Sequence, residues 1–143
     1  MILKKYYIFL ILSLIIAACG SAGGSDSPSN AVKDFVVAIK DGNPAKAWSY
    51  LSVESKKMYD EQAKNRNESG QEFFVKGMKD SKSLGVLGTE FDVVNEVKEG
   101  DNKATITVKT FKGQETKLYA IKEGGTWYLD YARSIEESRK LVE

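Results

Sequence analysis

The chain has 143 residues, with 21 lysines and arginines against 20 aspartates and glutamates, one cysteine and no histidine. This charge balance gives no overall positive field for nucleic acid, the lack of histidine excludes a Ser-His-Asp triad, and a single cysteine cannot form an intrachain disulfide. Because histidine is also the commonest transition-metal ligand and no phosphate loop is present, we expect neither a metal site nor a cofactor.

The first 18 residues have the pattern of a secretory signal peptide. Lys4 and Lys5 form a short positive region, residues 8–16 are apolar except for Ser13, and Ala17-Ala18 ends the run. As a helix, residues 6–18 would be about 20 Å long, against about 30 Å for the hydrocarbon core of a bilayer. We therefore expect residues 1–18 to be cleaved. A short signal-anchor helix is the alternative.

The tetrapeptide Ile16-Ala17-Ala18-Cys19 resembles the lipobox of bacterial lipoproteins. The resemblance implies a diacylglyceryl thioether on Cys19, cleavage before it, and export to a membrane-anchored location. Two or more acyl chains anchor a protein stably, at about 0.8 kcal/mol per buried methylene. Gly20, where aspartate would retain the protein at the inner membrane, points to the periplasmic side of the outer membrane in a Gram-negative host. In any other host, the implied location is the cell surface.

Processing would leave two parts. Residues 19–27 comprise the cysteine and a Gly/Ser-rich stretch, which predicts a flexible linker with a reach of about 15 Å. Residues 28–143 are long enough for one domain with a substantial core. Loss of Lys4 and Lys5 leaves 19 basic and 20 acidic side chains, so the processed chain is nearly neutral.

The first half of this domain has helical periodicity. Helix starts are predicted at Ser27-Pro28, at Asn43-Pro44, at Ser52 and at Ser69-Gly70-Gln71-Glu72, because each places a capping oxygen before a first turn. Apolar positions recur at helical spacing, as in Val32, Phe35, Val36, Ile39, Ala47, Trp48 and Leu51. We expect five of these side chains to cover a sheet: Phe35, Val36, Ile39, Trp48 and Leu51.

From residue 91 onward the apolar period changes to two. Alternation over 91–97, 104–108, 116–121 and 127–131, with short turns between, predicts an antiparallel meander of four strands. Phe91, Val93, Asn95 and Val97 are expected to share one face. A capping box at Ser134-Ile135-Glu136-Glu137 predicts a short polar C-terminal helix. The fold class is therefore α+β, with N-terminal helices packed on a curved antiparallel sheet.

Four segments of the chain resemble the NTF2-like (cystatin-like, SnoaL-like) superfamily, and more narrowly the small bacterial lipoproteins of the DUF4878 type. They are Val32-Lys33-Asp34-Phe35, Lys40-Asp41-Gly42-Asn43, Ala47-Trp48-Ser49-Tyr50-Leu51 and Gly125-Thr126-Trp127-Tyr128-Leu129-Asp130. The resemblance implies a cone-shaped half-barrel with helices across its mouth, a cavity between them, and frequent homodimers. For the lipoprotein branch it implies no established activity.

The aromatic side chains are the candidates for lining such a cavity. They are Trp48, Tyr50, Tyr59, Phe74, Tyr119 and Trp127. Packing in the core is the competing interpretation, because aromatics at the core-facing phase of a helix or strand dominate packing. The hypothesis that follows is a non-enzymatic, lipid-anchored module that binds a small apolar ligand or another protein of the cell envelope.

Two other functions stay open. Isomerases and cyclases of the NTF2-like superfamily use a cavity carboxylate with a nearby hydroxyl, and the candidates here are Asp92 and Asp130 with Tyr50, Tyr119 and Tyr128. The strand alternation predicts that both aspartates face solvent instead, so no catalytic residue is assigned. A purely structural dimer would be favoured by a flat, apolar outer sheet face.

Overall fold

A computed structural model describes residues 23–79 and 86–142. The predicted signal peptide and Cys19 lie outside the described residues. Four helices precede the sheet and one follows it: α1 Pro28–Lys40, α2 Pro44–Ser49, α3 Val53–Ala63, α4 Gly70–Gly77 and α5 Tyr131–Lys140. The sheet is formed by β1 Phe91–Glu99, β2 Lys103–Thr110, β3 Glu115–Glu123 and β4 Thr126–Leu129.

All four predicted helix starts of the first half are confirmed. The side chains of Ser27, Asn43, Ser52 and Ser69 each accept a backbone N–H from three residues further along. At Ser69 the capping box is complete, since Glu72 also accepts the Ser69 backbone N–H. Each cap satisfies an amide that would otherwise lack a partner inside the helix.

The sheet is an antiparallel meander in the order β1-β2-β3-β4, as predicted. Its core face carries Ile106 of β2, with Leu118 opposite it on β3. Helix α1 crosses this face and contacts all four strands. Phe35 of α1 is completely buried there. The α+β class, with helices packed on a curved sheet and a short C-terminal helix, is therefore confirmed.

The predicted common face of β1 is wrong beyond Val93. A β-bulge between Val93 and Asn95 inserts one extra residue, which reverses the side-chain phase of the rest of the strand. Glu96 consequently lies opposite buried Ile106 on the core face, while Val97 turns outward and is 50% exposed. From its new position, Glu96 accepts the backbone N–H of Ser29 in the first turn of α1, at 3.0 Å.

The fourth strand and the last helix also differ from the prediction. Strand β4 ends at Leu129 rather than 131, and α5 begins at Tyr131 because the Asp130 side chain accepts the Arg133 backbone N–H at 3.1 Å. Ser134, predicted to start this helix, is instead buried in its first turn. Its hydroxyl oxygen accepts the Tyr119 N–H at 3.3 Å, so α5 covers the part of the β3 edge that short β4 leaves unpaired.

The outer edge of β4 is covered by the segment before α1. The backbones of Ser25 and Trp127 exchange two hydrogen bonds, of 2.8 and 2.9 Å. Ser25 is buried, and its hydroxyl donates to Asp34 of α1 at 2.5 Å. The packed part of the chain thus extends upstream of Pro28, into residues that the sequence assigned to the spacer.

Candidate functional site

Three of the six predicted cavity residues form one aromatic cluster. The ring centroids of Trp48 and Phe74 are 5.4 Å apart, those of Tyr59 and Phe74 5.1 Å, and those of Trp48 and Tyr59 6.0 Å. Burial raises the pKa of the Tyr59 phenol, with a smaller contribution from Tyr131. These rings fill the space between α2, α3 and α4 as part of the hydrophobic core.

The other three lie in separate places. Tyr50 lines a shallow groove beside Gly23 and Gly24. Tyr119 lies on the outer sheet face, where the Arg133 guanidinium is 4.2 Å from its ring centroid. Trp127 is on the core face at the sheet margin and only 3% exposed. The structure therefore does not bring the six aromatic residues together around one cavity.

An apolar groove is found elsewhere, between α5, β3 and the short turn at residues 86–88. It has a volume of about 460 Å³, and we call it the α5 groove. Its apolar lining consists of Val86, Leu87, Leu118, Tyr131, Ile135 and Val142, and its polar lining of Thr116, Ser134, Ser138 and Arg139. The volume suits a small ligand.

This groove was not predicted from the sequence, because the C-terminal helix was expected to be polar. The signal was present in the spacing of Tyr131 and Ile135, which lie four residues apart and so share one face of α5, with Val142 following just after the helix ends. The five charged residues from Arg133 to Lys140 obscured that stripe.

Among residues 23–79 and 86–142, the α5 groove has one charged lining residue, the cation Arg139, and no carboxylate. Arg139 lies near the C-terminal end of α5, about 12 Å of helix rise from Tyr131 at the other end. The Ser134 and Ser138 hydroxyls donate to helix carbonyls, at 2.9 and 2.7 Å. The groove can therefore hold an apolar chain with an anionic group at one end, and the described part of its lining offers no acid–base pair.

The two candidate carboxylates lie outside this groove. Asp92 is exposed on the outer sheet face opposite Lys109, as the alternation predicted. Asp130 was expected on a strand face, but it is the half-buried N-cap of α5. Burial raises the pKa of Asp130, and its side chain lines a mixed-charge groove with Glu54, Lys57, Met58, Glu61 and Glu136.

Residues 23–79 and 86–142 contain neither a metal-binding cluster nor a membrane-spanning helix. No three histidine, cysteine, aspartate or glutamate side chains lie close enough there to bind a metal ion together. No helix in the same ranges has the length and apolarity needed to cross a bilayer.

These features define a small α+β domain, with helices on a curved antiparallel meander and an apolar groove beside its last helix. The family described as Domain of unknown function (DUF4878) matches residues 18–130, and the chain belongs to this family. The match ends at Asp130, so α5, which forms one wall of the groove, lies beyond it. No curated protein matches the chain.

Proposed function

We propose that the chain is an exported, lipid-anchored lipoprotein of the cell envelope, whose NTF2-like domain binds a small apolar ligand in the α5 groove without catalysis. The observation that carries the binding function is the groove itself, with its apolar walls and no carboxylate among the described residues that line it. A ligand with an anionic end, such as a fatty acid, would complement Arg139 at the C-terminal end of α5.

The anchoring part of the proposal depends on Cys19 and the signal peptide before it. The DUF4878 match begins at Ala18, beside the cysteine. The NTF2-like assignment is supported by α1 lying across the core face of the curved meander. Mass spectrometry of the membrane-extracted protein tests the anchor: we expect a chain that begins at an acylated Cys19, and an unmodified chain retaining residues 1–18 would contradict it.

The two alternatives have less support. A structural dimer would need an apolar outer sheet face, but that face exposes Asp92, Glu99, Lys103, Lys109 and Lys117. A cavity enzyme would need a carboxylate beside the bound molecule, whereas Asp130 caps a helix and Asp92 is exposed.

Ligand binding is tested by titrating the protein with a fluorescent fatty acid. Ile135→Arg places a charge inside the α5 groove, and we expect affinity to fall about tenfold or more, because burying an unpaired charge beside an apolar chain is unfavourable. The matched control is Glu136→Arg, which puts the same side chain on the same helix but in the mixed-charge groove. Equal affinity of the two variants, or no binding by the wild type, would contradict the proposal.

The role of Arg139 is tested separately with a fatty acid and a fatty alcohol of equal chain length. The wild type should prefer the acid, because its carboxylate can pair with the guanidinium. Arg139→Ala should lose that preference while keeping its affinity for the alcohol. If the preference survives the substitution, Arg139 does not bind the anionic group.

A further inference from the structure

The chain is held against the domain from Gly23 onward. A Cβ atom on Gly23 would overlap the carbonyl group of Ser49 at the end of α2, so only glycine permits this approach. Gly24 follows with φ +95°, and a Cβ there would overlap the side chain of Thr126. Ser25 then pairs with Trp127. The segment that begins at Gly23 therefore packs on one particular part of the domain surface.

That part of the surface has a defined composition, and we call it the tether face. It consists of Gly23, Ala45, Lys46, Tyr50, Lys56 and Tyr128. Ala45 and Lys46 are exposed, and Tyr50 lines a groove of about 450 Å³ with them. The Lys56 ammonium is 6.0 Å from the centroid of the Tyr128 ring.

The length of the chain before Gly23 limits which surface can approach a membrane. Cys19 and Gly23 are joined by four peptide links, which span at most about 14 Å when extended. The β2–β3 turn lies at the opposite end of the sheet, since β3 runs about 24 Å from Lys122, opposite Trp127, to Glu115. An acyl group on Cys19 therefore holds the tether face close to the lipid, whereas the β2–β3 turn lies about 24 Å further along the sheet.

The chemistry of the tether face suits the surface of a bilayer. Tyrosine is favoured at membrane interfaces because its ring is apolar and its hydroxyl is polar. Lysine side chains near an anionic leaflet are attracted by its negative surface potential. The carboxylate of the neighbouring Glu123 already has a hydrogen-bond partner within the domain, because it accepts the Val53 backbone N–H at 3.1 Å, at the start of α3.

We propose that the tether face rests on the anionic phospholipid surface in which Cys19 is anchored, so that the domain has one preferred orientation on the membrane. This inference depends on the proposed lipidation of Cys19. The α5 groove lies along β3 in the direction of Thr116 and away from Trp127, so it stays accessible to solvent in this orientation.

In the lipidated protein the acyl group occupies Cys19, which is the only cysteine of the chain. A newly introduced cysteine can therefore be labelled selectively, and the orientation can be measured by fluorescence. Ala45→Cys on the tether face and Lys112→Cys in the β2–β3 turn are each labelled with the fluorophore NBD in the full lipidated protein. Both variants are reconstituted into vesicles of phosphatidylethanolamine and phosphatidylglycerol that contain a spin-labelled quencher lipid. We expect the label at position 45 to be quenched several-fold more strongly than the label at position 112.

Equal quenching at the two positions, or stronger quenching at position 112, would overturn the orientation while the protein still floats with the vesicles. Failure to float would instead contradict the lipid anchor, so the two proposals fail in different ways. The pair Lys46→Glu and Lys56→Glu, introduced together, should reduce the quenching of the position 45 label on anionic vesicles. Unchanged quenching in that variant would exclude the proposed contact with anionic headgroups.

Discussion

The hydroxyl oxygen of Ser55 accepts the backbone N–H of Tyr131 at 2.9 Å, although 76 positions separate the two residues in the chain. It also accepts the N–H of Ala132 at 3.1 Å, and its side chain is completely buried beside Ser52. The first N–H groups of a helix have no partner within the helix. Ser55 of α3 therefore caps α5 and fixes its start against the rest of the domain.

The first prediction follows from this cap. Ser55→Ala should lower the free energy of unfolding by about 1–3 kcal/mol, because it leaves two half-buried N–H groups without their acceptor. Urea denaturation followed by tryptophan fluorescence measures the change. The control is Ser49→Ala, which removes an exposed hydroxyl that donates only to the Lys46 carbonyl and should cost less than about 0.5 kcal/mol. Equal effects of the two substitutions would contradict the role of Ser55.

The second prediction compares two glycines of α4. A Cβ on Gly70 would lie 2.5 Å from the Asp60 backbone nitrogen, so Gly70→Ala should force α3 and α4 apart and destabilise the domain by about 1–3 kcal/mol. A Cβ on Gly77 meets no atom of the described residues outside its own helix within 4 Å, so Gly77→Ala should stabilise the domain by about 0.5–1 kcal/mol through helix propensity. Thermal unfolding of both variants checks the opposite signs. Stabilisation by Gly70→Ala would show that the two helices do not meet so closely.

The third prediction concerns pH. Glu99 accepts a hydrogen bond from the Thr105 hydroxyl at 2.6 Å and two from the Arg133 guanidinium at 3.2 Å, and these contacts hold the pKa of Glu99 below its ordinary value of 4.5. A carboxylate with a lowered pKa in the folded state stabilises the fold above its ordinary pKa, and this contribution is lost as the pH falls through the lowered value.

Glu99→Gln should therefore reduce stability at pH 7, and its difference from the wild type should shrink as the pH falls below 4.5. Urea denaturation across this pH range provides the measurement. Glu115→Gln serves as the control, because Glu115 contacts Lys109 only at 3.8 Å on the surface and should matter little at neutral pH. A difference that grows in acid would refute the sign argued here.

The fourth prediction separates the aromatic cluster from the ligand site. Phe74→Leu should cost about 1–1.5 kcal/mol, because a smaller side chain leaves the rings of Trp48 and Tyr59 less well packed. The affinity for a fluorescent fatty acid should stay unchanged, since Phe74 does not line the α5 groove. Loss of affinity without loss of stability would place the ligand among these rings instead.

Local signals in the sequence explain why much of the fold was predictable. The caps at Ser27, Asn43, Ser52 and Ser69 each bind a backbone N–H only three residues further along the chain. The two-residue periodicity of a strand likewise depends only on neighbouring positions. The start of α5 was misplaced because Ser134 resembles a cap in sequence. In the structure its hydroxyl oxygen accepts the N–H of Tyr119, which is distant in the chain.

The sequence did not reveal where a cavity lies in the domain. The position of a cavity depends on contacts between segments that are distant in the chain. Whether Trp48 and Phe74 line a cavity or pack on each other depends on how α2 and α4 meet, which periodicity does not describe. The position of the α5 groove depends on β4 being shorter than β3, because α5 then occupies the remaining β3 edge.

By itself the sequence determined the α+β class, the order of the elements and the helix caps of the first half, because each depends on residues close together in the chain. It also contains the lipobox-like cysteine before the domain. Only the tertiary structure shows which face the β1 side chains occupy after the bulge, where Gly23 packs on α2 and which residues line the α5 groove. Those features depend on contacts between backbone segments that are far apart in the chain. No local sequence pattern specifies such contacts.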